Sequence, residues 1–209
     1  NTCCFIHDAK EESVNTILEM AEYKKTGTCK ILIVTGCMAQ RYKEEITEEI
    51  PEVDAVLGTT SYGDIVKALN EAEAGHVFRE FKDINALPED SGRRVITTGG
   101  HFGYLKIAEG CDKHCTYCII PSLRGKFRSV PEERLLKQAE YMASQGVREL
   151  ILVAQETTVY GTDLYGKKTL HILLKKLCQI KGIRWIRVLY CYPEEIYDEL
   201  IQTMKEEKK

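Results

Sequence analysis

Apolar residues along this chain follow two alternating patterns. Short β-prone runs are followed by longer stretches in which apolar positions recur three and four residues apart. Lys30-Ile-Leu-Ile-Val34 is one such run, and Val53 to Leu57, Leu150 to Ala154 and Arg184 to Tyr190 are others. Runs this continuous suit parallel strands covered on both faces. Residues 1–6 are also apolar and predict a strand. Between the runs lie helices. Asp8 and Glu11 form a capping-box-like start, Val14, Ile17, Leu18 and Ala21 fall on one face, and Gly27 ends the segment. A second helix is expected from Met38 to Glu49, and a third from Ser61 to Ala72 with Ile65, Val66 and Leu69 inward. Later, Ser129-Val-Pro-Glu132 opens a helix with Leu135, Leu136, Ala139, Met142 and Ala143 inside, ended by Gly146. Leu170, Leu173, Leu174, Leu177 and Cys178 mark another, and Pro193 suits the first turn of the last.

Strands alternating with helices at this spacing argue for βαβ units, hence an α/β fold. They fall into two blocks, 1–72 and 94–209. Residues 73–93 lose the periodicity, carry Pro88, Asp90, Ser91 and Gly92, and read as a linker. Val95 to Thr98 and Tyr104 to Ala108 flank a Gly-rich stretch expected to be a hairpin loop, and residues 155–168 read as a polar loop. The chain starts without Met and ends in a charged tail, so both ends read as cut from something longer. In such folds ligands sit at the carboxyl ends of parallel strands. Cys3, Cys37, Cys111 and the Gln155-Glu156 pair all lie at or just after predicted strand ends.

Composition narrows the class. Hydrophobic residues make up 44% and charged residues 29%, which excludes a disordered tail, a collagen-like repeat and a coiled coil. No apolar run approaches the roughly 20 residues that span a bilayer, so no membrane helix is expected. A net charge of −3 gives no whole-chain footprint for nucleic acid, although a local basic surface stays open. The nine cysteines are an odd number, well below disulfide-scaffold density. They point to a reducing, cytoplasmic setting with thiolates held for metal.

The strongest signal is Cys111-Asp-Lys-His-Cys115-Thr-Tyr-Cys118. Three thiolates within eight residues can wrap three corners of an iron–sulfur cubane and leave the fourth iron open. A small molecule offering an amine and a carboxylate can chelate that iron, which is what one-electron cleavage of S-adenosylmethionine (SAM) requires. A ferredoxin instead closes its cluster with four cysteines. Zinc, with His114 as fourth ligand, is the main competing reading, although so tight a spacing strains a tetrahedron. Disulfides and inert core thiols are others.

Gly110-Cys111-Asp-Lys-His-Cys115-Thr-Tyr117-Cys118 resembles the signature of radical SAM enzymes. Asn1-Thr2-Cys3, Thr35-Gly36-Cys37, Tyr104-Leu-Lys-Ile-Ala-Glu-Gly110, Cys118-Ile-Ile-Pro121 and Arg124-Gly125 extend the resemblance, over nearly the whole chain, to the radical SAM methylthiotransferases. Pro121-Ser122-Leu123-Arg124-Gly125 and Gln155-Glu156-Thr-Thr-Val-Tyr160-Gly161 resemble the branch acting on protein twelve of the small ribosomal subunit, although Glu156 stands where Asp is usual.

The resemblance implies a flavodoxin-like N-terminal βα domain, lacking its start, followed by the first part of a radical SAM partial (β/α) barrel. It implies two 4Fe-4S clusters: one on Cys111, Cys115 and Cys118, and an auxiliary one on Cys3 and Cys37 with a third ligand upstream. It implies SAM used twice, once as methyl donor and once as radical source. The target would be the β-carbon of an aspartate in a ribosomal protein, with an electron donor and a sulfur donor as further partners. The same-class alternative is a modified adenosine in transfer RNA. A non-catalytic iron–sulfur or zinc module is the alternative of another class.

Cys4 competes with Cys3, but neighbours in a strand point to opposite faces, and the Asn-Thr-Cys match selects Cys3. Cys37 precedes a helix start, where backbone N–H groups favour a thiolate. Tyr117 is placed near the adenine by resemblance. Gln155 and Glu156 either hold SAM or cap the loop that follows. Arg124, Lys126 and Arg128 are expected on one face of an extended segment, where they would attract a carboxylate of SAM or of the target. Cys178 reads as core, Cys191 as packing near the site, and Cys29 has no partner motif.

Overall fold

The computed structural model describes residues 1–87 and 94–209. The end of the expected linker, 88–93, lies outside the described residues. By its internal contacts the chain divides into two compact units, residues 1–91 with 113–125 and residues 92–112 with 126–209.

The first unit contains α1 (His7–Thr26), β1 (Ile33–Thr35), α2 (Cys37–Tyr42), α3 (Glu45–Glu49), β2 (Ala55–Leu57), α4 (Ile65–Glu73), β3 (Phe78–Glu80) and α5 (Ile120–Arg124). The strands form a parallel sheet in the order β1-β2-β3, with Val34 opposite Val56 and Val56 opposite Arg79. Its core joins Cys4, Ile17, Val34, Cys37, Met38, Ala39, Ile46, Val53 and Val56 to Leu123 of α5.

Several expectations are corrected in this unit. Residues 1–6 do not form a strand; only Thr2 makes a parallel bridge, to Gly36. The helix starts at His7, and its N-cap, Ile6, makes no side-chain cap. Its buried line is Ser13, Ile17 and Ala21, while Leu18 is half exposed. Ser13 explains the rotation, because its hydroxyl donates to the Cys3 carbonyl (2.8 Å) and accepts from the Cys3 N–H (3.0 Å), drawing that face inward. The helix expected over 38–49 is split, because Lys43 adopts φ +38° between α2 and α3. In α4 only Ala68 is buried, while Ile65, Val66 and Leu69 face outward. Ala68 packs with Ala55 and Leu57, and so small a contact lets the helix approach the sheet through its narrowest face. Strand β3 falls where the linker was expected. Its Phe-Arg-Glu sequence has no apolar run, and backbone pairing to β2 makes it a strand.

The second unit contains β4 (Phe102–Lys106), β5 (Ala108–Glu109), β6 (Arg128–Ser129), α6 (Glu132–Ser144), β7 (Glu149–Val153), α7 (Thr162–Tyr165), α8 (Leu170–Cys178), β8 (Trp185–Val188) and α9 (Asp198–Glu206). Strands β4, β7 and β8 form an open parallel sheet in that order, while β5 and β6 pair antiparallel. This is the β-α-β-α-β progression of a partial barrel. The buried faces of α6 (Leu135, Ala139, Met142) and α8 (Leu170, Leu173, Leu177) close over Leu105, Leu150 and Leu152. Burying each of these leucine and methionine side chains contributes about 1.5–3 kcal/mol.

The expected hairpin around residues 99–103 is absent, because β4 pairs with β7 in parallel, Gly103 lying opposite Leu150. A Cβ on Gly103 would meet the terminal methyl of Met142, the movable end of that side chain. Helix α6 begins after Pro131 without a side-chain cap, so the expected capping box does not form. Pro193 opens a single 3-10 turn, and the last helix starts later, at Asp198. The polar loop of 155–168 contains the short α7. No described helix is long and apolar enough to cross a membrane.

Candidate functional site

In the first unit, two short cysteine motifs lie side by side. The Thr2 N–H donates to the Thr35 carbonyl (2.7 Å), and the Cys37 N–H donates to the Thr2 carbonyl (3.0 Å). This places Asn1-Thr2-Cys3 beside Thr35-Gly36-Cys37. Cys37 is the first residue of α2 and is buried. Cys3 is exposed and borders a cavity of about 390 Å³ with Ser13, Leu32 and Val34. Cys4 is 3% exposed and shares the buried cluster with Cys37. Burial pushes the Cys4 thiol up, the neighbouring Cys37 adds to this, and Arg41 opposes it.

Arg124 is not on an extended basic face with Lys126 and Arg128. It ends α5, and Gly125 at φ +73° turns the chain immediately afterwards. Its Nε donates to Cys37 Sγ at 3.2 Å. Next to it, Leu123 is buried in the same cluster and its carbonyl accepts from the Thr59 hydroxyl at 3.0 Å. Arg124→Ala should therefore lower stability by about 1 kcal/mol, the net worth of one hydrogen bond. An unchanged midpoint in chemical denaturation would show the contact to be idle.

The cysteine loop follows β5. Residues 110–119 adopt neither helix nor strand, and the Cys118 N–H closes a turn on the Cys115 carbonyl at 2.9 Å. Cys111, Cys115 and Cys118 are partly exposed and form no disulfide. The Asp112 carboxylate accepts from the Phe127 N–H at 2.9 Å, tying the start of the loop to the returning chain. Tyr117 is 87% exposed. The sequence reading passed over Glu109, a carboxylate 2% exposed that pairs with Lys106 and accepts from the Gly110 N–H at 3.3 Å. The available signal was an acid inside an otherwise apolar strand end.

As donors, three thiols in no disulfide, on one irregular loop, fit an iron–sulfur cluster, because no helix or strand bonds hold the sulfurs apart. Among the described residues, no three His, Cys, Asp or Glu side chains already converge as a metal-ready group.

At the carboxyl end of β7, Gln155 Oε1 is buried with no hydrogen-bond partner. Glu156 is 3% exposed, and its Oε1 accepts from the Thr158 N–H (3.0 Å), the Thr158 hydroxyl and the Tyr192 N–H (3.3 Å). Thr157 and Thr158 are fully buried, and the Tyr160 hydroxyl donates to the Val130 carbonyl at 2.9 Å. Burial pushes the Tyr160 phenol well above its ordinary range. The loop after β7 is thus built around inward hydroxyls, which polarity alone did not reveal. Cys178 is buried on the inner face of α8, as expected of a core residue.

Two family models match the chain. Residues 1–58 match an uncharacterized protein family, UPF0004, and residues 105–208 match the radical SAM superfamily. The ribosomal protein uS12 methylthiotransferase RimO of Lachnoclostridium phytofermentans is 66% identical over all 209 residues. Residues 105–208 thus form a radical SAM domain, and over its whole length the chain is similar to radical SAM methylthiotransferases. Methylthiotransferases of the same description from Clostridium botulinum (strain Eklund 17B) and Clostridioides difficile (strain 630) are 54% and 53% identical, over 100% and 98% of the chain. The chain spans about half the length of these curated methylthiotransferases, 48%, 47% and 46% respectively. A solved structure of the radical S-adenosylmethionine methyltransferase TsrM from Kitasatospora setae matches with a TM-score of 0.51 at 12% identity, covering 93% of this chain and 50% of that one, a likeness of fold alone. The superfamily match supports one iron–sulfur and SAM site in this chain.

Proposed function

We propose that this chain carries the cluster-binding core of a methylthiotransferase that inserts a methylthio group at the β-carbon of an aspartate in a small-subunit ribosomal protein. What supports this most is the 66% identity over the whole chain to a protein described as a uS12 methylthiotransferase. In this reading Cys111, Cys115 and Cys118 hold one 4Fe-4S cluster, and Cys37 with Cys3 contributes to an auxiliary one. When bound, the cluster and SAM supply one-electron cleavage to a hydrogen-abstracting radical, chemistry that belongs to the cofactors.

The protein's part is to bind, orient and exclude water. Gln155 offers a buried carbonyl oxygen with no protein donor, suited to the ammonium group of SAM. Tyr117, next to Cys118, has an exposed ring that would be available to the adenine of bound SAM. Arg124 supports Cys37 rather than a substrate carboxylate. An electron donor and a sulfur donor complete the reaction.

The test uses full-length protein, reconstituted anaerobically with iron and sulfide and supplied with SAM, reductant and either the ribosomal protein or transfer RNA. Mass spectrometry is expected to find a methylthio group on an aspartate of the ribosomal protein. Modification of transfer RNA alone would overturn the substrate assignment. Failure to form 5′-deoxyadenosine in either mixture would overturn the enzymatic reading.

A further inference from the structure

We propose that Glu156 is a positioning residue that clamps the carboxyl ends of β7 and β8 and holds Tyr190 in its left-handed conformation on the segment that follows β8. The clamp stands on geometry alone; its consequence for SAM binding rests on the functional reading above. Strands β7 and β8 pair in parallel with Leu152 opposite Val188, and beyond their ends the chain carries Gln155 and Glu156 after β7 and Tyr190 to Tyr192 after β8. Glu156 and its neighbour bind the two ends together. The Glu156 carboxylate accepts from Thr158 on its own loop and from the Tyr192 N–H across the gap at 3.3 Å. Thr157, fully buried, donates its N–H to the Tyr190 carbonyl (3.1 Å) and its hydroxyl to the Leu189 carbonyl (2.8 Å), and its hydroxyl lies 3.4 Å from Cys191 Sγ.

Tyr190 shows what the clamp holds. Its φ is +59°, a conformation disfavoured for a side chain of this size. Its ring is 66% exposed, so packing does not impose that backbone. The hydrogen bonds from Thr157 and the Glu156 bond to Tyr192 flank the residue on both sides. Strain of this kind persists where surrounding structure over-determines it, and such places cluster at functional sites. The two neighbours at the end of β7 thus divide the work. Gln155 keeps an unpartnered oxygen, whereas Glu156 is 3% exposed and spends its Oε1 on the protein's own donors.

The experiment compares Glu156→Ala, Glu156→Gln and Glu156→Ala/Tyr190→Gly in the full-length protein. Gln keeps an acceptor oxygen for the Tyr192 N–H and removes the charge, while Gly at 190 adopts the left-handed conformation without a clamp. Amide exchange at Thr158 and Tyr192 is expected to quicken roughly tenfold in the Ala variant and to stay slow in Gln. The SAM dissociation constant of the reconstituted protein is expected to rise roughly tenfold in Ala, stay within about twofold in Gln, and largely recover in the double variant. Should the Ala variant fail to fold, the Gln variant decides: tenfold weaker SAM binding with unchanged exchange would mean that the carboxylate contacts SAM directly, and the proposal falls. It also falls if exchange at Tyr192 is insensitive to every substitution, or if Tyr190→Gly gives no recovery. A native protein that binds no SAM would remove the functional reading, while the exchange data would still judge the clamp.

Discussion

Alanine in place of Cys111, Cys115 or Cys118 is expected to abolish iron and sulfide uptake at the loop and, with it, release of 5′-deoxyadenosine from SAM. On the proposed ligand set, removing one of the three cysteines leaves two ligands for a cubane that needs three, and the loop contributes no helix or strand bonds that would hold the rest in place. Loss of a partner one shell further out already costs about 10–100-fold in metal affinity, so loss of a ligand should exceed that. Anaerobic reconstitution followed by iron and sulfide counting, with chromatography of the cleaved nucleoside, reads both effects. Cys178→Ala is the matched control. It removes a buried thiol from the core of α8, so it should lower stability slightly and leave iron uptake intact. Full cluster content in all three loop variants would remove these cysteines as ligands, and one tightly held zinc ion in the native protein would replace the cubane with a structural metal site.

Gly36→Ala should produce the largest loss of stability among single changes near Cys37. Gly36 has φ +104° and ψ −158°, a region essentially restricted to glycine. A Cβ there would also collide with the backbone carbonyl of Thr2, which accepts the Cys37 N–H. Conformation alone costs about 1–3 kcal/mol, and displacing the Thr2 bridge adds to it. Gly75→Ala isolates the first contribution, because Gly75 has φ +82° but open space around it. Gly36→Ala should therefore shift the denaturation midpoint well beyond Gly75→Ala and make Cys37 faster to alkylate. Equal shifts in the two variants would mean that the contact between Thr2 and the 35–37 turn carries no weight.

Patterning read best where one side of an element is buried against a large apolar surface. Leu135, Ala139 and Met142 of α6, and Leu170, Leu173 and Leu177 of α8, were legible because a helix facing a sheet needs a stripe every three or four residues. It failed where the contact is small or polar. The outward Ile65, Val66 and Leu69, the buried Ser13 and the three-residue strand β3 each follow from a neighbour distant in sequence: the small-residue contact of Ala68 with β2, the backbone of Cys3, and β2. No residue type between Tyr42 and Glu45 announced the break at Lys43.

The sequence by itself determined the donor types and spacing of the cysteine loop. Donor type and spacing are properties of a short stretch, and three thiolates within eight residues need no distant partner to be recognised. The α/β class was legible for the same reason, since period and turn residues are local. Only the tertiary structure decided which side chains face one another: Arg124 on Cys37, Cys4 rather than Cys3 in the buried cluster, and Glu156 across to Tyr192. Such pairings depend on strand register, on the hand of a turn and on which groups lose their water, and these are settled by segments far apart along the chain.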